Sequence, residues 1–301
     1  IDTLLWISQY ADGVRCDMAM LVRRDYFRKQ WYPLATDEWF QARMPDEFWD
    51  EAINTVKKRR PEFKFIAEAY WHQEAYLRAL GFDLCYEKKL LDALAARDAA
   101  QVVERLTQDE ATMRASLFFI ENHDEARAAI VFNDAANLAA AALILALPGS
   151  QLIHEGQMEG KREKLPVQRI KPLADEPPDP ALRQAYEQLL RLTSAAVFKH
   201  GSFTVFDSRV WGAVAFMRQD AEQTIGYLGQ ITEAWHQFHS AAFDITPMAL
   251  AIGASQQMIV TNLLTNAARR VEAQDGAFTL RPEQIGAGEG AHFCFIAVTS
   301  A

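Results

Sequence analysis

Five short apolar runs, separated by stretches of helical length between residues 12 and 156, constrain this chain more than any other feature. The runs are 12–20 (DGVRCDMAM), 63–70 (FKFIAEAY), 82–86 (FDLCY), 115–122 (ASLFFIEN) and 150–156 (SQLIHEG). Such alternation is the pattern of repeated βα units around a parallel sheet. The intervening stretches carry helix signals: Pro45 near the start of 45–60 and basic residues at its end, Gly81 closing 71–81, a helical run over 88–108, and 133–149 ending in a Pro-Gly breaker. A surface connection rich in proline and acid (171–180) and a helix over 181–198 follow. Beyond residue 200 the texture changes. Short, turn-bounded runs of aromatic and β-branched residues at 203–207, 210–219, 224–231, 258–265, 276–282 and 292–298 predict an antiparallel β-sandwich or small barrel. The expected division is therefore an α/β domain over 1–198 and a β-sandwich domain over 199–301.

Composition narrows the function classes. The chain has 301 residues, half of them hydrophobic, and a formal net charge of −9 with no long basic run, so nothing offers a phosphate backbone an electrostatic footprint. No apolar stretch reaches the roughly 18 residues of a membrane helix, and no charged region followed by an apolar one opens the chain at Ile1. The three cysteines, Cys16, Cys85 and Cys294, are widely spaced and lie in apolar runs, the usage of buried free thiols in a reducing compartment. The expectation is a soluble cytoplasmic protein with neither nucleic-acid nor membrane partner, and the sequence leaves its oligomeric state unspecified.

Within the first run, Arg15 and Asp17 stand two positions apart, so in a strand both side chains leave the same face. Unpaired charges there would be costly, and side by side they compensate one another; taken alone they read as a structural ion pair. Further acids stand at the ends of other runs: Glu68 in FIAEAYW, and Asp124, beside His123, in ENHDEAR. In parallel βα barrels catalytic groups occupy the C-terminal strand ends, although a single carboxylate there is as readily a helix cap.

Taken together, GVRCDMA (13–19), FIAEAYW (65–71) and ENHDEAR (121–127) resemble, in order, three of the four short signatures of the α-amylase superfamily of retaining α-glucan hydrolases and transglycosylases. The resemblance implies a partial (β/α)8 barrel of the TIM type, comprising strands four to eight, followed by the family's all-β C-terminal domain. It implies Asp17 as nucleophile, Glu68 as acid/base and Arg15 as the group holding Asp17 ionised and oriented. His123 and Asp124 would hydrogen-bond sugar hydroxyls and steady an oxocarbenium-like transition state. Tyr70 and Trp71, just after Glu68, and Glu155 and Gln157, after the last run, are expected sugar contacts. Tyr26, Trp31, Tyr32 and Trp39 in the aromatic stretch 25–40 either stack on sugar rings or pack against neighbouring helices.

The resemblance also implies barrel strands one to three, an inserted domain and a fourth signature in a longer protein, the present chain being poorly active alone. Any calcium site of the family would lie largely in that other part, so no cofactor and no metal is expected here. His236 and His239, spaced i, i+3, lack a nearby third ligand for zinc. Met20 and Leu21 occupy positions where many endo-acting members carry Lys-His, and Arg127 is reminiscent of exo-acting α-glucosidases. The expected activity is hydrolysis of α-linked glucosides or α-glucans. A transglycosylase with the same residues, or a catalytically silent barrel kept for carbohydrate binding or assembly, are the alternatives.

Overall fold

A computed structural model describes residues 1–168 and 176–301. Residues 171–175 of the expected surface connection, and the side chain of His236, lie outside what is described. The chain divides into two compact units, one of residues 1–88 with 114–117 and one of 89–113 with 118–301.

The first unit is built on parallel strands β1 (Gly13–Cys16), β2 (Lys64–Ala67), β3 (Leu84–Tyr86) and β4 (Ser116–Phe118), which runs into the second unit at Phe118. The register sets Arg15 opposite Ile66, Ala67 opposite Cys85, and Tyr86 opposite Leu117. At Gly13 the strands approach so closely that a Cβ would lie 2.6 Å from the Lys64 carbonyl oxygen, which excludes any side chain there. The crossover from β1 to β2 includes the helix Phe48–Arg59, with Asp50 and Glu51 in its first turn and Lys57, Lys58 and Arg59 in its last, matching the helix dipole at both ends. Its Trp49, Ala52, Ile53 and Val56 follow the helical period and are buried with Phe63, Phe65 and Phe82. Among the described residues β1 pairs with β2 alone, so one edge of this sheet is open.

Asp83 ties β3 to its surroundings. Its carboxylate accepts from the Phe65 N–H (2.9 Å) and pairs with Lys57 (2.9 Å) and Lys64 (3.3 Å). Burial opposes the charge, but the Phe65 and lysine donors outweigh it and hold the carboxyl below its usual range. A depressed carboxylate stabilises the fold above its unfolded pKa, and that contribution is lost as pH falls through the folded value. Asp83→Asn should thus lower the melting temperature at pH 7, and its gap to the parent should narrow below about pH 4 in a melting series against pH.

The second unit holds β5 (Ser150–Gln151), after which the Leu152 N–H donates to the Phe118 carbonyl at the end of β4. Here also lies an antiparallel sheet of β6 (Ser202–Val205), β7 (Ala213–Gln219), β8 (Thr224–Gln230), β10 (Gln257–Asn262), β11 (Ala268–Glu272) and β13 (Phe293–Ser300), in the order β11-β10-β13-β8-β7-β6. A ribbon of β9 (Phe243–Asp244) and β12 (Thr279–Leu280) shares a core with it through Phe243, Phe278 and Leu280, where the sequence suggested a second full sheet. The helix Asp134–Leu145 joins the same unit: the Tyr227 hydroxyl donates to the Ala139 carbonyl, and the buried Arg218 guanidinium donates to the carbonyls of Ala146, Gly201 and Ser202. The compact units therefore do not divide at 198/199, although the antiparallel sheet begins at Ser202.

Two helical readings need correction. The run 88–108 is broken at Arg97, which adopts φ +55°, and Asp98 caps a second helix, Ala99–Leu106, by accepting from the Gln101 N–H. The run 181–198 likewise divides into Pro180–Thr193 and Ala196–His200. Among the described residues no helix is long and apolar enough to cross a membrane.

Candidate active site

The C-terminal ends of β1, β2 and β3 bring four polar side chains of the first unit together. Arg15 Nη1 lies 2.6 Å from Asp17 Oδ1, and Arg15 Nη2 lies 2.6 Å from Glu68 Oε1. The second contact is a charge pair without aligned hydrogen-bond geometry. Arg15 Nε donates to the Tyr86 hydroxyl at 3.3 Å, and the guanidinium lies over the Tyr86 ring. One arginine thus spans two carboxylates from neighbouring strands. Burial works against its charge, but the hydrogen bonds to Tyr86 and Asp17 and the nearby Glu68 overcome this and raise its pKa.

The two acids stand in opposite environments. Asp17, just past the end of β1, is 79% exposed in its side chain, whereas Glu68, just past β2, is 2% exposed. Glu68 Oε2 accepts from the Met18 N–H at 2.6 Å, and Oε1 accepts from the Tyr70 hydroxyl at 3.3 Å. Backbone bonds from Glu68 N–H to the Cys16 carbonyl and from Ala19 N–H to the Glu68 carbonyl fasten the strand ends together. Met18 makes its contact in the left-handed region at φ +39°, and Trp71 and His72 follow Glu68 at +57° and +61°. Non-glycine residues held there carry strain of about 1–3 kcal/mol each, a cost that clusters where function requires a fixed geometry. Cys16, beside this cluster, is buried, and desolvation pushes its thiol up to about 12, so it is inert near neutral pH.

Tyr70 reaches Glu68 as described, and Trp71 is half exposed, stacked on Tyr26 at 5.9 Å with ring planes 15° apart. Trp31 remains exposed, while Tyr32 packs against Trp39 at 5.6 Å between ring centres. Sequence reasoning missed Tyr86. A phenol at the end of the third run, the next strand after those that end in Asp17 and Glu68, is the signal that would have found it.

The second unit carries His123 and Asp124, bonded to one another at 3.1 Å and each about half exposed. The loop is shaped by Asn122, whose side-chain oxygen accepts from the N–H groups of Asp124 and Glu125. Beside it lies a buried network that the motif did not reveal. Glu121 takes Arg127 Nη1 at 2.7 Å, the Ala128 N–H at 2.7 Å and His154 Nδ1 at 3.0 Å, while Arg127 also donates to the carbonyls of Glu155 and Glu163. Arg127, 4% exposed, is thereby a brace for the 154–163 segment.

Gln157 lies inward, unlike its neighbour Glu155. It is 2% exposed; its Oε1 accepts from the His154 N–H and its Nε2 donates to Tyr186, which donates onward to Asn137. Expected to touch sugar, it closes a buried chain of hydrogen bonds, while neighbouring Glu155 remains exposed. Gln157→Ala should cost about 1–2 kcal/mol by leaving the tyrosine short of a partner. Thermal denaturation should register that loss as a lower melting temperature. Among the described residues no group of three or more His, Cys, Asp and Glu side chains is arranged to hold a metal ion.

No protein-family model matches the chain. It is 27% identical over 170 residues to the α-amylase MalA of Haloarcula japonica, an alignment covering 54% of this chain and 22% of that protein. In fold it is similar to an α-amylase from Lactobacillus plantarum, at 20% identity and a TM-score of 0.64, covering 98% of this chain and 65% of the other. It is also similar to the α-amylase of Geobacillus thermoleovorans crystallised with acarbose, at 14% identity and a TM-score of 0.71, covering 99% and 63%. The fold is thus of the α-amylase type over nearly all of this chain, which spans about a fifth of the curated relative and under two-thirds of these solved structures.

Proposed function

We propose that this chain carries the reacting carboxylates of an α-amylase-family glycoside hydrolase that cleaves α-linked glucans with retention of configuration. The observation that carries the reading is the single guanidinium of Arg15 spanning Asp17 and Glu68 at the ends of adjacent parallel strands. Retaining cleavage needs one ionised carboxylate to attack the anomeric carbon and one carboxylic acid to protonate the leaving oxygen. Asp17, open to solvent, attacks; the glycosidic C–O bond breaks as Glu68, paired as a carboxylate with Arg15 before sugar binds and carrying a proton in the sugar complex, gives that proton to the departing oxygen. Water, deprotonated by Glu68, then attacks the glycosyl ester and releases Asp17. Arg15 aims the nucleophile, and Tyr86 holds Arg15. By resemblance, His123 and Asp124 hydrogen-bond sugar hydroxyls.

The remaining barrel strands come, in this reading, from a longer protein, and their place is the open edge of β1. The 301 residues alone would then turn over glucan poorly, since a misplacement of about 1 Å at the reacting ring costs on the order of a hundredfold. Three buried free thiols suit a reducing compartment. The test is to incubate full-length protein with 5-fluoro-α-glucosyl fluoride, digest it, and map the added mass. Label on the peptide containing Asp17 is the expected result; label elsewhere refutes the assignment.

A further inference from the structure

The hairpin after β11 parts close to its turn. Gln274 and Ala277 exchange both backbone hydrogen bonds at 2.9 Å across Asp275 and Gly276, which take φ +51° and +80°. Past that bridge the arms separate, β11 pairing with β10 and β12 with β9, and a groove of about 460 Å³ opens along β11 within the second unit. β11 is an edge strand. The bonds that flank its pairing, Asn262 N–H to the Ala267 carbonyl and Ala273 N–H to the Gln256 carbonyl, fix the alternation of the ladder. Ala268, Arg270 and Glu272 therefore turn their N–H and C=O groups away from β10, an unused template for one more strand.

Three arginines line the same groove: Arg269, on the face of buried Val271; Arg270, on the opposite face; and Arg281 on the other arm, whose N–H donates to the Gln284 side chain at 3.2 Å. All three are exposed, and among the described residues none is paired with a carboxylate; Arg270 reaches only the neutral Gln257, at 3.3 Å. Charges on an edge strand often serve to turn other strands away. Arg281, however, stands outside that strand, and three unpaired guanidinium groups about one groove are unusual in a chain of net charge −9. The lining has no aromatic side chain to stack on a base or a sugar ring. We propose that this groove takes an acidic, extended segment of another protein, which adds to β11 as a further strand. A peptide donates to the outward carbonyls of β11 as well as accepting from its N–H groups, which an inorganic polyanion cannot do. Successive side chains of the added strand leave alternate faces, so consecutive acids meet Arg270 on one side and Arg269 and Arg281 on the other. Glu272 repels an acid placed opposite it, which sets the acidic run toward the Ala268 end of β11.

The test is fluorescence anisotropy of a fluorescein-labelled peptide, Thr-Val-Glu-Glu-Glu-Val-Thr, titrated with full-length protein. Saturable binding is expected, weakened at least about fivefold by Arg269→Ala and by Arg281→Ala. Both side chains are exposed, so the melting temperature should stay at the parental value. Two further peptides of the same sequence and charge, N-methylated at alternate residues in one phase or the other, decide how the segment is held. The set whose amides face β11 should lose at least about tenfold in affinity, since several hydrogen bonds go at once, while the other set should bind like the parent peptide. Equal binding by both methylated peptides would mean capture of any polyanion and overturns the proposal. So does the absence of saturable binding, or binding indifferent to both arginine substitutions. None of these results bears on the labelling of Asp17, so this inference and the catalytic reading stand or fall separately.

Discussion

Full-length protein carrying Asp17→Asn should lose turnover of α-linked glucan by about 10⁴-fold or more, as expected for removing a nucleophile, while its thermal stability barely moves. The two halves of that result have separate causes. Asn keeps the size of the side chain and can still accept from Arg15, but it cannot attack the anomeric carbon as an anion. Stability is spared because the carboxylate is 79% exposed, and an exposed ion pair is worth at most about 1 kcal/mol. Parallel measurement of kcat and melting temperature separates the chemical role from a structural one. A variant with parental turnover would return Asp17 to the rank of a surface acid.

The sequence made the cluster of Arg15, Asp17 and Glu68 visible because its geometry is set by local rules. Strand alternation alone puts Arg15 and Asp17 on one side, and the ends of parallel strands converge, so Glu68 follows once its run is recognised as the next strand. The four parallel strands β1 to β4, and β5, lie within their runs, yet each is shorter, down to the pair Ser150–Gln151, because an apolar run continues into buried loop as readily as into strand. What stayed hidden depends on contacts distant in sequence. Arg218, on a strand, is buried and donates to the carbonyl of Ala146, seventy-two residues away, and Gln157, expected to contact sugar, bonds to Tyr186. The strand Ala268–Glu272 was overlooked because its ARRVE pattern is polar, as an edge strand with a single neighbour allows. Arg127, at a position suggestive of substrate specificity, also braces two loops through the Glu155 and Glu163 carbonyls, contacts that no local pattern shows.

Arg15→Met should destabilise the full-length protein by about 2–3 kcal/mol, read as a lower urea midpoint at unchanged m-value. Glu68 is almost wholly buried, and without the guanidinium it keeps only the Met18 N–H and the Tyr70 hydroxyl as described partners, with no counter-ion. The loss falls short of that for a fully buried pair because Arg15 itself is 28% exposed and water can reach the vacated place. Adding Glu68→Gln to Arg15→Met removes the stranded charge and should recover at least about half of the loss, a coupling that independent sites would not show. Arg15→Lys provides the other half of the test. A lysine supplies charge to Glu68 but lacks the two-pronged plane that reaches both acids and Tyr86 together, so stability should largely return while labelling of Asp17 stays slow. If lysine restored labelling as fully as stability, charge alone would suffice and the fork would have no chemical part. If methionine cost nothing, Glu68 would not depend on Arg15 at all. The expected pattern, stability following charge and reactivity following shape, assigns this one arginine both roles that its place beside Asp17 suggests: it neutralises a buried acid so the strand end can fold, and it aims an exposed one so the strand end can react.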